Sequence, residues 1–296
     1  MYIYPLGRFS VSVPNDFKPV VQTHKIRACE IDEFLWPQGN DRQQIKDGVW
    51  NERIKKIQKS VSPECVKNVI IEERLRINSA PRTKAVFYYG NYAANDEGYW
   101  DLLLDAGPVG VWIKFDGLLG GKEKLYNWVE EVAKAYKYRD PAQRPALSTN
   151  RFFLKYGAVD LPYLATEQTY ARFENQRLNM KLEIEMQETE DVEQTGLTER
   201  ISTAISTDYA LGVDVDKIRG QKRTIAGLKG EDVIVRMKDK YDTVLNFAWE
   251  YPGEEDSGER PEIQITMESP DGALKEKIKV WDAILDSFTP MYPRTK

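Results

Sequence analysis

Histidine, cysteine and long apolar runs are scarce in this chain, and each shortage closes off a class of function. One histidine, His24, in 296 residues rules out a histidine metal cluster, and a Ser-His-Asp triad would have to be assembled around that single ring. Two cysteines, Cys29 and Cys65, cannot with one histidine supply the usual ligand set of a structural zinc. Both lie in the first half, so a bridge within one domain and a pair of reduced thiols are both open readings. No stretch of about 18 apolar residues occurs, so no helix is expected to span a bilayer. The opening MYIYPLGRFSVSVP lacks the basic start and apolar core of a secretory signal, and either a cytosolic chain or one that begins after a removed signal is expected. Basic residues are not in excess: the net charge is -5 with both signs interspersed. A nucleic-acid binder needs clustered Lys and Arg to displace counterions, so nucleic acid is not an expected partner.

Catalytic motifs are missing as well. There is no G-x-S-x-G elbow, no Walker loop and no G-x-G-x-x-G after a strand. Gly117-Leu118-Leu119-Gly120-Gly121 precedes a helix and could turn amides toward an anion, but it lacks the Lys-Ser/Thr pair and reads as a strand-to-helix connection. Carboxylates are many, and nothing singles out the two that a glycosidase would use. The sequence therefore predicts no catalytic residue, no metal and no cofactor.

What is present is material for packed cores. Apolar residues make up 41% of the chain and charged residues 30%, with 16 Tyr and 7 Trp, enough for two cores of about 150 residues each. Lys122-Glu123-Lys124 opens a helical stripe of Leu125, Trp128, Val132 and Ala135, and Lys275-Glu276-Lys277 opens another of Ile278, Trp281, Leu285 and Phe288. Position 281 less 128 gives 153, an offset that superposes the two stripes and suggests a duplicated domain.

The preceding segments agree. Val111, Ile113 and Phe115 alternate with polar or outward residues before Asp116-Gly117, and Ile263, Ile265 and Met267 do the same before Asp271-Gly272, as one-face-buried strands running into turns. Asn40 or Asp41 caps a helix with the stripe Trp50, Ile54, Ile57 and Val61, stopped by Pro63. A helix near 197 to 208 carries Leu197, Ile201, Ala204 and Ile205.

Each half thus reads as strands, helix, four strands and a closing helix. The expected fold is α+β: two similar domains, 1–140 and 146–296, each an antiparallel sheet with helices packed on one face. A polar, proline-rich linker lies near 139–145, and duplicated domains joined this way tend to form a cleft.

Two loops are candidate partner contacts. The acidic run Glu254, Glu255 and Asp256 sits on a predicted hairpin, where an exposed tip either is merely solvated or meets a partner. The corresponding tip of the first half, Asn95-Asp96-Glu97-Gly98, is bracketed by Tyr88, Tyr89, Tyr92, Tyr99 and Trp100. Amphipathic aromatics beside a polar turn suit a protein-binding edge, and sheet packing is their other role.

Several stretches resemble the immunity proteins of type VI secretion lipase effectors. They are GRFSVSVP (Gly7 to Pro14), STDYALGVDVDKIRGQKRTIAGLKGEDVIVR (Ser206 to Arg236), NFAWEYPG (Asn246 to Gly253), PEIQITMES and WDAILDSF. The likeness is densest in the second half. It implies a periplasmic two-domain protein, exported behind a signal or lipoprotein segment, that clamps a cognate phospholipase of the α/β-hydrolase type, in a 1:1 complex, by blocking substrate access or lid opening. Such an inhibitor needs a broad complementary surface and no reactive groups. A non-catalytic adaptor for another protein, and an enzyme using carboxylates in a groove, are the competing readings.

Overall fold

In a computed structural model, the protein describes residues 1–39, 41–60, 63, 66–76, 81–90, 95–142, 151–163, 166–210, 214–257 and 259–292. Asn40, Val61, Cys65, Tyr92 and the linker from 143 to 145 lie outside these, as do the side chains of Ala204 and Ile205. Two compact units form. The larger comprises Met1–His24, Pro145–Phe153 and Pro162–Lys296, and the smaller comprises Lys25–Arg144 and Leu154–Leu161. The first strands of the chain therefore pack with its second half, and a short piece after the linker packs with the first.

Elements in chain order are β1 (Tyr2–Leu6), β2 (Phe9–Val13), β3 (Phe17–Ile26), β4 (Cys29–Leu35), α1 (Arg42–Gln58), β5 (Ile70–Arg76) and β6 (Thr83–Tyr89). Next come β7 (Glu97–Ala106), β8 (Val109–Leu118), α2 (Lys122–Ala135), β9 (Tyr136–Tyr138), β10 (Phe152–Phe153), β11 (Gly157–Val159), β12 (Gln168–Asn175) and β13 (Met180–Gln187). Then follow α3 (Leu197–Ala210), β14 (Asp214–Ile225), β15 (Leu228–Lys238), β16 (Thr243–Tyr251), β17 (Glu262–Pro270), α4 (Leu274–Ser287) and β18 (Thr289–Pro290). The fold is α+β and mostly antiparallel sheet.

Within the smaller unit the sheet order is β4-β8-β7-β6-β5, and within the larger it is β13-β17-β16-β15-β14, with β12 beyond β13. In both, one strand and a helix precede four sequential antiparallel strands, the last of which returns to lie beside the first. A helix follows in each.

The smaller unit is assembled from clear local signals. Asp41 accepts a hydrogen bond from the Gln44 amide at 3.0 Å, satisfying an orphan donor at the start of α1. That helix buries Trp50 and Ile57 against Val86, Tyr88 and Leu103. Because side chains alternate along a strand, Trp100 and Phe115 occupy the opposite face, where Tyr126 of α2 lies 4.8 Å from Trp100 and Trp128 stacks on Phe115 at 5.2 Å. The two helices thus cover opposite faces of one sheet.

The larger unit repeats this division. Trp281 of α4 packs 5.8 Å from Phe247, whereas Arg200 of α3 pairs with Glu250, which alternates to the other face of β16. The expectation of helices on one face is therefore corrected. A strand presenting apolar residues on both sides, such as Trp100, Leu102, Leu103 and Leu104 of β7, all buried, requires cover on both.

Two finer expectations shift. The turn placed at Asp116-Gly117 falls inside β8, which continues to Leu118. In α2 the buried residues are Tyr126, Val129, Val132 and Ala133, and Trp128 is 37% exposed. The stripe is therefore rotated by about one residue, or about 100°, from the one read around Trp128. In α4, Trp281 and Leu285 are buried as expected. From Val129 to Trp281 the interval is 152 residues (281 less 129), the same as from Ile113 to Ile265 (265 less 113). Burial therefore repeats at 152, whereas the Lys-Glu-Lys triplets repeat at 153, and Lys277 of the second is itself buried, with its ammonium donating to the Pro270 carbonyl at 2.6 Å.

The opening residues complete the core of the larger unit. Phe9 stacks on Phe288 at 5.1 Å, β2 pairs with β18, and Ser12 exchanges hydrogen bonds of 2.9 and 3.0 Å with the Ser287 hydroxyl.

Candidate binding surfaces

Groups that could do chemistry are tied into the packing. His24 is 5% exposed, with Nδ1 3.3 Å from Thr169 Oγ1 and its ring edge-on to Phe152. Burial lowers its pKa to about 4, so the imidazole is neutral at physiological pH and serves as a packed ring. Cys29 is a buried free thiol. Burial pushes its pKa up to about 12, against the pull of Arg27. A nucleophile requires the thiolate, so Cys29 is inert. The Gly117–Gly121 segment has its first turn amide engaged, since Leu119 donates to the Asp96 carbonyl at 2.7 Å.

Buried carboxylates likewise hold elements together. Asp232, fully buried, accepts from Arg219 at 2.9 Å, Arg223 at 3.3 Å, Gln221 at 3.2 Å and the Trp281 indole at 3.0 Å. Asp282 meets the same two arginines at 2.9 and 2.6 Å. Burial alone would raise its pKa, but those hydrogen bonds outweigh burial and hold it below the usual carboxylate value. Arg8 forks onto Glu167 at 2.5 and 2.7 Å, both residues at least nine-tenths buried. Glu33 accepts from Tyr136 Oη at 2.6 Å and the Tyr156 amide at 2.8 Å, which fastens the segment after the linker to the smaller unit. Its pKa is raised, chiefly by burial. Charges paired in this way carry structural work.

What faces solvent is a set of shaped, polar loops. Between β16 and β17 the chain turns at Gly253, whose φ of +86° is left-handed. A Cβ there would lie 2.8 Å from both the Glu262 amide and Thr189 Cγ2. The Glu254 amide donates to the Arg260 carbonyl at 2.9 Å and the Asp256 amide to the Thr189 carbonyl at 3.1 Å. Tyr292 Oη donates to the Glu259 carbonyl at 2.6 Å. This latching leaves the side chains of Glu254, Glu255 and Asp256 exposed, with Glu254 paired to Arg260. Thr189 belongs to a second acidic stretch, in which Glu190, Asp191 and Glu193 are exposed. Sequence reasoning missed that neighbour because it lies more than sixty residues upstream; its own density of carboxylates was the available signal.

The other tip is a turn at Asn95 and Asp96, both exposed, followed by Glu97, the exposed first residue of β7. Of its aromatic flank, Tyr88 and Trp100 are core residues. Tyr99 is half-buried, stacked on Tyr88 at 5.7 Å with the Lys114 ammonium 4.2 Å over its ring. Tyr92 falls outside the described residues. The acidic loop and this tip belong to different units.

The described residues thus form an antiparallel α+β scaffold that spends its buried charges on packing and presents latched polar loops to solvent. Residues 152–290 match the family described as the Tle cognate immunity protein 4 C-terminal domain. The fold of the whole chain is similar to solved structures of type VI secretion immunity proteins. Against apo TplEi from Pseudomonas aeruginosa the identity is 15% and the TM-score 0.80, with 99% of this chain and 98% of that chain covered. Against a chain of the Tle4-Tli4 complex the values are 16% and 0.79, at 99% and 98% coverage. TplEi from Pseudomonas aeruginosa complexed with an "L" peptide gives 14% and 0.75, again at 99% and 98%. At such identities the likeness speaks for the fold. No curated protein matches the sequence.

Proposed function

We propose that this chain is an immunity protein that binds a cognate type VI secretion phospholipase effector and neutralises it without catalysis. The observation that carries the reading is the match of residues 152–290 to the Tle cognate immunity protein 4 C-terminal domain. The likeness of fold to a chain of the Tle4-Tli4 complex supports it. Neutralisation by binding calls for a standard-sized interface of roughly 1,600 Å² and slow dissociation, and for no reactive group. That need agrees with a neutral buried histidine and an inert thiol.

The reading extends to a 1:1 complex in the periplasm in which the inhibitor blocks access of substrate to the lipase. The exposed acids Glu254, Glu255 and Asp256, with Asn95, Asp96, Glu97 and the neighbouring Tyr92, are its contact residues. Carboxylates at an interface rim act chiefly on the association rate through complementary charge.

The test is co-purification with the product of the adjacent gene, searched for a G-x-S-x-G motif, together with a phospholipase assay. A stoichiometric complex with abolished hydrolysis is expected. No association and unchanged hydrolysis would end the proposal. Reversing Glu254, Glu255 and Asp256 to Lys should slow association about tenfold at low salt and leave thermal stability unchanged. An unchanged rate would remove this loop from the contact surface.

A further inference from the structure

The smaller unit contains a cavity of about 60 Å³ beside α1, lined by Trp36, Gln43, Lys46, Arg82, Lys84 and Asp105 among others. By the same measure one water needs only about 10–15 Å³, so there is room for a compact group of several heavy atoms. Its lining is one-sided, with three cations and one carboxylate in a chain whose net charge is -5.

The cations retain bonding capacity. Lys46 is 13% exposed, pairs with Asp105 and lies 5.8 Å over the Trp36 ring. Lys84 is 16% exposed and bonds Asp47 at 2.5 Å. An ammonium has three N–H donors, so each lysine keeps donors beyond its carboxylate. Arg82 stands exposed at the rim. A second observation points the same way. The indole Nε1 of Trp36 is buried and has no hydrogen-bond partner among the described residues. Buried indole donors are ordinarily satisfied. The cavity thus holds more N–H donors than its single lining carboxylate, Asp105, can engage.

We propose that this cavity binds a small oxyanion, a phosphate or carboxylate group, held by Lys46, Arg82 and Lys84 with the Trp36 indole N–H as the neutral donor. Charge-assisted bonds from partly buried lysines give such a group more hold than exposed lysines would. An apolar wall from Trp36 and Leu103 favours an anion carried on a short organic body over bare inorganic phosphate. The inference stands apart from the immunity reading and uses none of its contact residues.

The experiment is a two-dimensional NMR titration of the isotope-labelled full chain, with the Trp36 indole signal assigned through its loss in Trp36→Phe. The probes are inorganic phosphate, acetate and a soluble short-chain phosphatidylglycerol, the last to tell a lipid headgroup from a free anion. A saturable shift of the Trp36 indole and of the Lys46, Arg82 and Lys84 amides is expected with at least one probe. Arg82→Ala and Lys84→Gln should each weaken it about tenfold. Arg82 is exposed, so Arg82→Ala keeps the test independent of folding. Shifts that stay linear into the tens of millimolar for all three probes would overturn the proposal. So would saturation with equal affinity in Arg82→Ala and Lys84→Gln.

Discussion

Removing the carboxylate of Asp232 is the most informative single perturbation of the larger unit. Asp232→Ala strips a fully buried partner from Arg219 and Arg223 and the acceptor from the Trp281 indole. Breaking a buried ion pair from one side costs about 3–5 kcal/mol, because the remaining charge is left uncompensated. Asp282 stays 2.9 and 2.6 Å from the two guanidinium groups, which pulls that cost toward its lower end. An orphaned indole N–H adds about 1–3 kcal/mol. The sum is about 4 kcal/mol, a large part of a domain stability of about 5–15 kcal/mol. At about 2–4 °C per kcal/mol for a unit of this size, the transition of the larger unit should fall by about 8–16 °C. Thermal and urea unfolding followed by tryptophan fluorescence measure this, with Asp286→Ala as the control. Asp286 is 72% exposed and pairs with Arg223, so its loss should cost no more than about 1 kcal/mol. If Asp232→Ala cost as little as Asp286→Ala, the account of Asp232 as the hub joining β14, β15 and α4 would be wrong.

Two further outcomes follow from the packing. The folded-state pKa of His24 is depressed to about 4 from 6.5, so its contribution is present above pH 6.5 and is lost as pH falls toward 4, where the unfolded chain takes up the proton first. The loss approaches roughly 3 kcal/mol; His24→Gln should remove that share of the acid destabilisation, and an unchanged melting-temperature profile between pH 7 and 4 would refute it. At Gly253 the left-handed backbone and the 2.8 Å approach to Glu262 and Thr189 predict that Gly253→Ala costs about 1–3 kcal/mol. A denaturation midpoint within error of the parent chain would contradict this.

The parts of the fold that were legible in the sequence are those set by local chemistry. Asp41 caps α1 where a capping residue precedes Trp50, Ile54 and Ile57 at helical spacing, and Trp281 and Leu285 fall on the buried stripe of α4. Trp128 misled because a tryptophan on a helix is most simply read as core. Here it stacks on Phe115 from the outer side, and Val129 takes the buried position. Which face each helix covers was not legible, since it depends on strands buried on both sides, such as β7. The acidic loop at Glu254 could be located, but not its latch to Thr189, which joins segments distant in sequence. Contact residues of a docking surface carry no spacing rule comparable to that of metal ligands or a catalytic triad. Chemistry constrains geometry, and mere complementarity does not.

The membership of Met1–His24 in the larger unit governs the order in which the protein can be completed. Partners of that segment, α4 and β18, follow far later in the chain. During synthesis its β1–β2 hairpin must wait for those partners while Lys25–Arg144 emerges and closes its own local contacts. Such long-range closure is slow and leaves strand edges and Phe9 open to solvent or to a chaperone until α4 and β18 have been made. The same arrangement makes β2, α4 and β18 one structural joint, so cutting a few residues from β2 would loosen the seat of α4.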